Sequence, residues 1–152
     1  MPRSIQYTYT PLARALKMIA IAPFMVMSSQ GLATPITSDR TIDSSSPVDS
    51  YEVSAGAILT ANGANTYAIT ALDSKVYLNG SFVTATGTFG VTLTASEATI
   101  VGGSVSSTET GLRLVSGGST AASATVSGST IKGGVLGALI GEGNSLTLLN
   151  GT

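Results

Sequence analysis

A short alternating strand pattern that runs into a glycine turn recurs along this chain, and this repeat restricts the possible folds more than any other feature. Its four clearest copies are residues 76–82 (VYLNGSF), 98–104 (ATIVGGS), 124–130 (ATVSGST) and 146–152 (LTLLNGT). Alternation with a period of two is typical of β-strands, and glycine accepts the positive φ that a tight turn requires. Repetition of one strand-and-turn unit indicates a repeat protein.

Two series of strands interleave at nearly regular spacing. The first series begins near Val76, Ala98, Ala124 and Leu146, and the second begins near Tyr67, Val91, Leu112 and Ala138. Successive members of either series are roughly 20–26 residues apart, which is a suitable length for one coil of a solenoid. This spacing predicts an all-β, right-handed parallel β-helix of about four coils, in which equivalent strands pair in parallel. An antiparallel sandwich or meander is the alternative, although independent hairpins would not produce the longer repeating unit.

The alternation also predicts which side chains point into the solenoid and stack in columns. The predicted interior consists of Val53, Ile58 or Leu59, Ile69, Val76, Leu78, Phe82, Val91, Leu93, Ile100, Val105, Leu112, Leu114, Val126, Ile131, Leu139, Leu146 and Leu148. Each fully buried aliphatic side chain is worth roughly 1.5–3 kcal/mol, whereas ordering the backbone costs roughly 1–2 kcal/mol per residue. About four coils therefore leave little surplus stability.

Three segments differ in composition. Residues 1–33 combine the bases Arg3, Arg14 and Lys17, an apolar run over residues 18–27 and small residues up to Ala33, which is the pattern of a cleaved signal peptide. A buried or interfacial N-terminal helix is the alternative. Residues 34–50 are polar and aperiodic, and predict a linker or an early, poorly formed rung. Residues 51–152 carry the repeats, and we expect them to be a truncated part of a longer repeat protein because no capping unit follows.

The amino-acid composition excludes several kinds of chemistry. The chain contains no cysteine and no histidine, which removes disulfides, thiolate sites, the commonest general base and the usual Ser-His-Asp triad. Charged residues make up only 10% of the chain, against roughly 25% in average soluble domains. All eight acids lie from Asp39 onward with only four bases, so a nucleic-acid partner is not expected.

The basic leader, the repeats at residues 124–131 and 146–152, and the glycine-rich connection at residues 115–119 together resemble the passenger region of pertactin-like bacterial autotransporters. The resemblance covers residues 51–152. It implies a right-handed β-helix that is exported and displayed at the cell surface by a C-terminal outer-membrane β-barrel. The chain lacks the run of alternating strands that such a barrel needs, so any membrane association would depend on a barrel that is missing here.

Paired carboxylates would indicate an enzyme, because some β-helix proteins cleave polysaccharides with two acids roughly 5–10 Å apart. The candidates are Asp73, Glu97, Glu109 and Glu142, which fall mostly in turns. Asp73 and Glu97 are separated by about one predicted coil, a spacing that would bring them near one another at one corner. The simpler interpretation is that these acids are solvated side chains in turns.

The aromatic residues Tyr51, Tyr67 and Tyr77 would either form an exposed aromatic patch or pack against the rungs.

The sequence therefore predicts a non-enzymatic structural or adhesive module that is secreted or displayed at the bacterial surface. No catalytic, cofactor-binding or metal-binding residue is assigned, and no cofactor is expected. Its expected partners are host-cell, matrix or neighbouring-cell surface molecules. The alternatives are a fragment of a β-helical carbohydrate-active enzyme and a fragment of a prophage tail fibre.

Overall fold

The computed structural model of the protein describes residues 32–149 and residue 151, and every regular element in them is a β-strand. The sixteen strands are β1 (Thr34–Ile36), β2 (Arg40–Asp43), β3 (Tyr51–Val53), β4 (Ile58–Asn62), β5 (Asn65–Thr66), β6 (Ile69–Leu72), β7 (Lys75–Asn79), β8 (Phe82–Thr84), β9 (Phe89–Thr94), β10 (Glu97–Val101), β11 (Ser104–Ser107), β12 (Thr110–Val115), β13 (Ser123–Ser127), β14 (Thr130–Gly133), β15 (Leu136–Ile140) and β16 (Ser145–Leu149). Most of the predicted signal peptide, residues 1–33, lies outside the described residues and stays a prediction.

The strands form three parallel sheets that the chain visits in turn. Sheet A has the order β1-β3-β6-β9-β12-β15, sheet B the order β2-β4-β7-β10-β13-β16, and sheet C the order β5-β8-β11-β14. Each strand pairs with its equivalent in the next coil, which is the topology of a β-solenoid. The prediction of a parallel β-helix is confirmed, with about five turns where the repeats predicted about four.

The register of sheet B follows the predicted spacing of the first series. Val76 pairs with Ala98, Ala98 with Ala124, and Ala124 with Leu146. In sheet A, Val91 pairs with Leu112 and Leu112 with Ala138, as the second series predicts. The partner of Val91 on the other side is Ile69, slightly beyond the predicted start at Tyr67.

The additional turn comes from residues 34–50. Their composition was compatible either with a linker or with an early, poorly formed rung. Strand β1 pairs with β3, and β2 pairs with β4, so this segment forms the first coil. Its contribution to the core is small, since Ile36 and Ile42 are its only buried apolar side chains. A polar contact adds to them: the Asp39 carboxylate accepts a hydrogen bond of 2.9 Å from the backbone N–H of Ile58 in the next coil.

The core fills the space between the three sheets as columns of small and branched side chains. One column of sheet B contains Ile42, Ala61, Leu78, Ile100 and Val126, all of them almost fully buried. Sheet A contributes Val53, Ala71, Leu93 and Leu114 in the same way. Twelve of the predicted interior residues are buried: Val53, Leu59, Ile69, Val76, Leu78, Val91, Leu93, Ile100, Val105, Leu112, Leu114 and Val126.

Two residues predicted to be inside point outward instead. Phe82 is 49% exposed, while its neighbour Val83 is fully buried in register with Val105. Leu139 is exposed on the outer side of sheet A, in register with Arg113, whereas Ala138 is in register with the buried Leu112. In both places two apolar residues are adjacent, so alternation alone does not determine the phase.

Three further predicted interior residues lie on the inner side of the last coil, where the core is only partly covered. Ile131 and Leu146 pack against the core and are partly buried. Leu148 is in register with the buried Val126 but remains exposed.

Buried serines stabilise two of the three corners of the solenoid. At the corner between sheets A and B, the Ser96 hydroxyl accepts a hydrogen bond of 3.1 Å from the backbone N–H of Ser74 and donates to the carbonyl of Thr94. At the corner between sheets B and C, the Ser81 hydroxyl accepts from the N–H of Ala64 and donates to the carbonyl of Ala61. These hydrogen bonds satisfy backbone N–H and C=O groups that lie at the corners and therefore have no partner within a sheet.

Candidate functional site

The outward surface of sheet B runs through six strands of the solenoid, and we call it the threonine face. Its central column runs through all six strands of the sheet and consists of Thr41, Thr60, Tyr77, Thr99, Thr125 and Thr147. Since neighbouring strands lie about 4.8 Å apart, the column is about 24 Å long. Every member is exposed or half-buried, so its hydroxyl group lies at the surface.

Two flanking columns complete the threonine face. The column on one side contains Ile58, Lys75, Glu97, Ser123 and Ser145, and the column on the other contains Asp43, Asn62, Asn79, Val101, Ser127 and Leu149. Asn79 donates a hydrogen bond of 2.9 Å through Nδ2 to Oδ1 of Asn62. The asparagine side chains are therefore bonded between coils and held in one orientation.

The threonine face is suited to many weak polar contacts. Hydroxyl and amide groups both donate and accept hydrogen bonds, and each such bond contributes only about 0.5–1.5 kcal/mol net. Tyr77 adds an aromatic ring in the middle of the column. Because the groups are spread along the solenoid axis, a ligand with its own repeat would contact several coils at once.

This column was not among the predicted functional features, although its signal is present in the repeats. The second position of the four repeat copies is occupied by Tyr77, Thr99, Thr125 and Thr147. In a strand that points its first and third residues inward, the second residue points outward. Comparing the same position in every copy would have predicted the column.

The predicted proximity of Asp73 and Glu97 is present at the corner between sheets A and B. Both line an open cavity of about 260 Å³, together with Gly56, Ser74, Lys75 and Ala95. Asp73 turns the chain here with a positive φ of 48°, a conformation that aspartate tolerates better than most residues.

Within this corner cavity Glu97 is bound to a lysine. Lys75 and Glu97 are register partners in sheet B, and Lys75 Nζ lies 3.0 Å from Glu97 Oε2. Hydrogen bonding to the Glu97 carboxylate, followed by its charge, raises the pKa of Lys75 above its ordinary value. A general acid needs a carboxyl group that stays protonated near neutral pH, usually through burial. The Glu97 side chain is instead largely exposed and lies beside a cation.

The other two candidate acids lie away from Asp73 and Glu97. Glu109 precedes β12 at the corner between sheets C and A, where its carbonyl oxygen accepts hydrogen bonds from the N–H groups of Val135 and Leu136. Glu142 is in the last turn between sheets A and B. Among the described residues, no group of three or more acidic side chains is arranged to hold a metal ion.

The three tyrosines that would form the aromatic patch, Tyr51, Tyr67 and Tyr77, occupy separate environments. Tyr51 is buried in sheet A, where its hydroxyl donates to the Pro47 carbonyl at 3.1 Å and the Arg40 guanidinium lies 5.6 Å from its ring centroid. Burial raises the pKa of Tyr51. Tyr67 is exposed between sheets C and A, and Tyr77 lies on the threonine face. The structure therefore does not bring them together as one aromatic patch.

A second outward feature lies on sheet A and was also not predicted. The guanidinium carbon of Arg113 lies 4.7 Å from the centroid of the Phe89 ring, within the range of a cation–π contact. The two residues are separated by about one coil of sequence and meet because β9 and β12 are neighbours. Only the exact register would have predicted the pair.

Comparison with known proteins adds no assignment, because no family model, curated protein or solved structure matches the chain. No helix in the described part of the chain has the length and apolar character needed to cross a membrane.

Proposed function

We propose that this chain is an exported, non-enzymatic β-helix module of the kind found in autotransporter passengers, and that it acts as a stalk or contact surface. Its partners would be molecules at the surface of host cells, extracellular matrix or neighbouring bacterial cells. The observation that carries the proposal is the continuous column of hydroxyl groups on the threonine face. This column extends over every coil and offers no single point where polar groups converge.

The electrostatics of the threonine face favour neutral polar ligands. The charges of Lys75 and Glu97 compensate one another within one ion pair. Most other positions carry hydroxyl, amide or aliphatic groups. A neutral ligand with many hydroxyl groups, such as a surface glycan, matches this chemistry because each coil provides hydrogen-bonding groups at the same place.

A fragment of a carbohydrate-active enzyme is the second candidate, and the shared cavity of Asp73 and Glu97 favours it. In that case the two carboxyl groups would act on a glycosidic bond bound at the corner between sheets A and B. The ion pair between Lys75 and Glu97 weighs against this candidate because the carboxylate of one of the two acids is already engaged by a cation.

The experiment that separates the two candidates measures binding and turnover on the same polymers. The purified full chain is immobilised and tested for retention of cells, matrix proteins and a panel of neutral and acidic polysaccharides. The same polysaccharides are then assayed for release of reducing ends or unsaturated products. Binding without turnover supports the contact module. Turnover that is lost in both Asp73→Asn and Glu97→Gln would establish the enzyme instead.

A further inference from the structure

The central column of the threonine face presents its polar groups at a fixed repeat along the solenoid axis. Five of its six members are threonine and the third is Tyr77, and successive members are register partners in neighbouring strands. The repeat is therefore the strand spacing of about 4.8 Å. A ligand that contacts several members at once needs hydrogen-bonding groups of its own at a similar repeat.

This repeat discriminates between classes of extended polymer. In an extended peptide, the side chains on one face recur about every 6.6–6.8 Å, which does not match the column. A nucleic acid would need clustered basic residues, and the two flanking columns contain only one, Lys75. In an extended polysaccharide with β-1,4 linkages, each pyranose ring advances by nearly one strand spacing and carries hydroxyl groups on both edges. Such a chain can therefore place one sugar on each coil.

The flanking columns provide hydrogen-bonding partners for both edges of such a chain. Asn62 and Asn79 are exposed and bonded to each other. That bond uses the NH2 group of Asn79 and the amide oxygen of Asn62, which leaves donor groups on Asn62 and an acceptor on Asn79 for a ligand. Further along the solenoid, Ser123 and Ser127 lie on either side of Thr125. Sugar hydroxyl groups can therefore be bound on both sides of the central column.

The middle of the threonine face adds an aromatic surface and little net charge. Tyr77 is half-buried, and the exposed part of its ring offers a surface on which the C–H face of a pyranose ring can pack. Lys75 and Glu97 neutralise each other in their ion pair. The Asp43 carboxylate accepts hydrogen bonds of 2.9 Å and 2.6 Å from the N–H and hydroxyl groups of Ser45. These charges are therefore engaged within the protein, which favours a neutral sugar chain.

We propose that the threonine face binds a neutral, linear polysaccharide with β-1,4 linkages, and that the sugar chain lies along the solenoid axis with about one sugar per strand of sheet B. The inference rests on the proposed contact function and names the ligand class for it. Because the contacts are spread over several coils, the affinity grows with the number of sugars bound. A pocket for a chain end would instead reach its full affinity with two or three sugars.

The length of the sugar chain provides the first test. Binding of the full chain to β-1,4-linked oligosaccharides of glucose, mannose and N-acetylglucosamine with two to six units is measured by isothermal titration calorimetry. In at least one series, Kd is expected to fall about threefold for each added sugar, or about eightyfold from the disaccharide to the hexasaccharide. Maltohexaose is the linkage control, because its α-1,4 linkages curve the chain away from a straight column. It is expected to bind at least about tenfold more weakly than the best β-1,4-linked hexasaccharide.

The direction of the sugar chain is tested by chemical-shift perturbation in NMR spectra. The hexasaccharide that binds most tightly should shift the backbone amide resonances of Thr60, Thr99 and Thr125, which lie on three different strands of sheet B. The amide resonances of Thr70 and Thr92 on sheet A should stay unchanged. A chain that lay across the axis would instead shift the resonances of one strand.

Four results would overturn the inference: no binding of any β-1,4-linked series, equal binding of maltohexaose, an affinity that stops rising at three sugars, or shifts confined to one strand. The retention assay for cells and matrix proteins separates this failure from failure of the proposed function. Retention without any of the expected oligosaccharide binding would overturn the ligand class alone. Loss of both would overturn the contact function as well.

Discussion

Gly103 lies against Ser81 of the preceding coil so closely that a Cβ atom on Gly103 would be 2.1 Å from the Ser81 carbonyl oxygen. The backbone of Gly103 also has a positive φ of 79°. The N–H group of Ser104 donates a hydrogen bond of 3.0 Å to the same carbonyl. The corner between sheets B and C is therefore closed by direct backbone contact between coils.

Alanine at position 103 is expected to destabilise the solenoid more than alanine at another turn glycine. Gly80 also has a positive φ, but a Cβ atom there would have no heavy atom within 4 Å. Gly80→Ala should lower the free energy of unfolding by about 1–2 kcal/mol, which is the cost of a positive φ for alanine without any steric clash. Gly103→Ala should cost about 3–5 kcal/mol, because the clash with Ser81 adds to it. Urea unfolding of both variants measures the difference, and equal free energies of unfolding would show that the coils do not approach this closely.

The orientation of strand β8 is tested by two adjacent truncations. Val83 is fully buried, so Val83→Ala should lower the free energy of unfolding by about 2–4 kcal/mol. Phe82 is 49% exposed, so Phe82→Ala should lower it by less than about 1 kcal/mol, although the removed side chain is much larger. If Phe82→Ala proved the more damaging change, β8 would have the opposite phase.

The ion pair at the corner cavity predicts a specific titration. Because Glu97 raises the pKa of Lys75, the pair stabilises the folded state at pH values below the pKa of an unfolded lysine. This contribution is lost as the pH rises through the higher folded pKa. In an NMR titration of the side-chain resonances, Lys75 should titrate above its usual value of 10.5 in the wild type. In Glu97→Gln it should return toward that value, with Lys132 as the internal control. An unchanged midpoint would mean that the two side chains do not pair in solution.

The repeat was sufficient to predict the parallel pairing, since the steps between Val76, Ala98, Ala124 and Leu146 are the register of sheet B. The first coil was harder to predict, because Ile36 and Ile42 are almost its whole apolar content. Their alternation is too short to stand out from the polar residues around them. The pairing of β1 and β2 with the next coil depends on backbone hydrogen bonds, which do not require a particular side chain.

The side-chain pairs at the candidate site were harder to predict from the sequence than the fold was. The proximity of Asp73 and Glu97 followed from their separation by about one coil. The register partner of Glu97 is Lys75, however, and these two residues are separated by the same step as Val76 and Ala98 of the first series. The contact between Arg113 and Phe89 likewise depends on exact register. A repeat whose length varies slightly from coil to coil predicts the columns, but it does not predict every pair across them.

The measurement that tests the proposed function most directly compares two faces of the solenoid in one retention assay. The variant Thr60→Val/Thr99→Val/Thr125→Val removes three hydroxyl groups from the threonine face and keeps the branched shape of each side chain. Its matched control, Thr70→Val/Thr92→Val/Thr94→Val, removes three outward hydroxyl groups from sheet A. Binding distributed along the threonine face predicts a small effect of each single substitution, a loss of at least about tenfold in the first triple variant, and unchanged retention in the control. Equal retention by both triple variants, or complete loss from one single substitution, would contradict it.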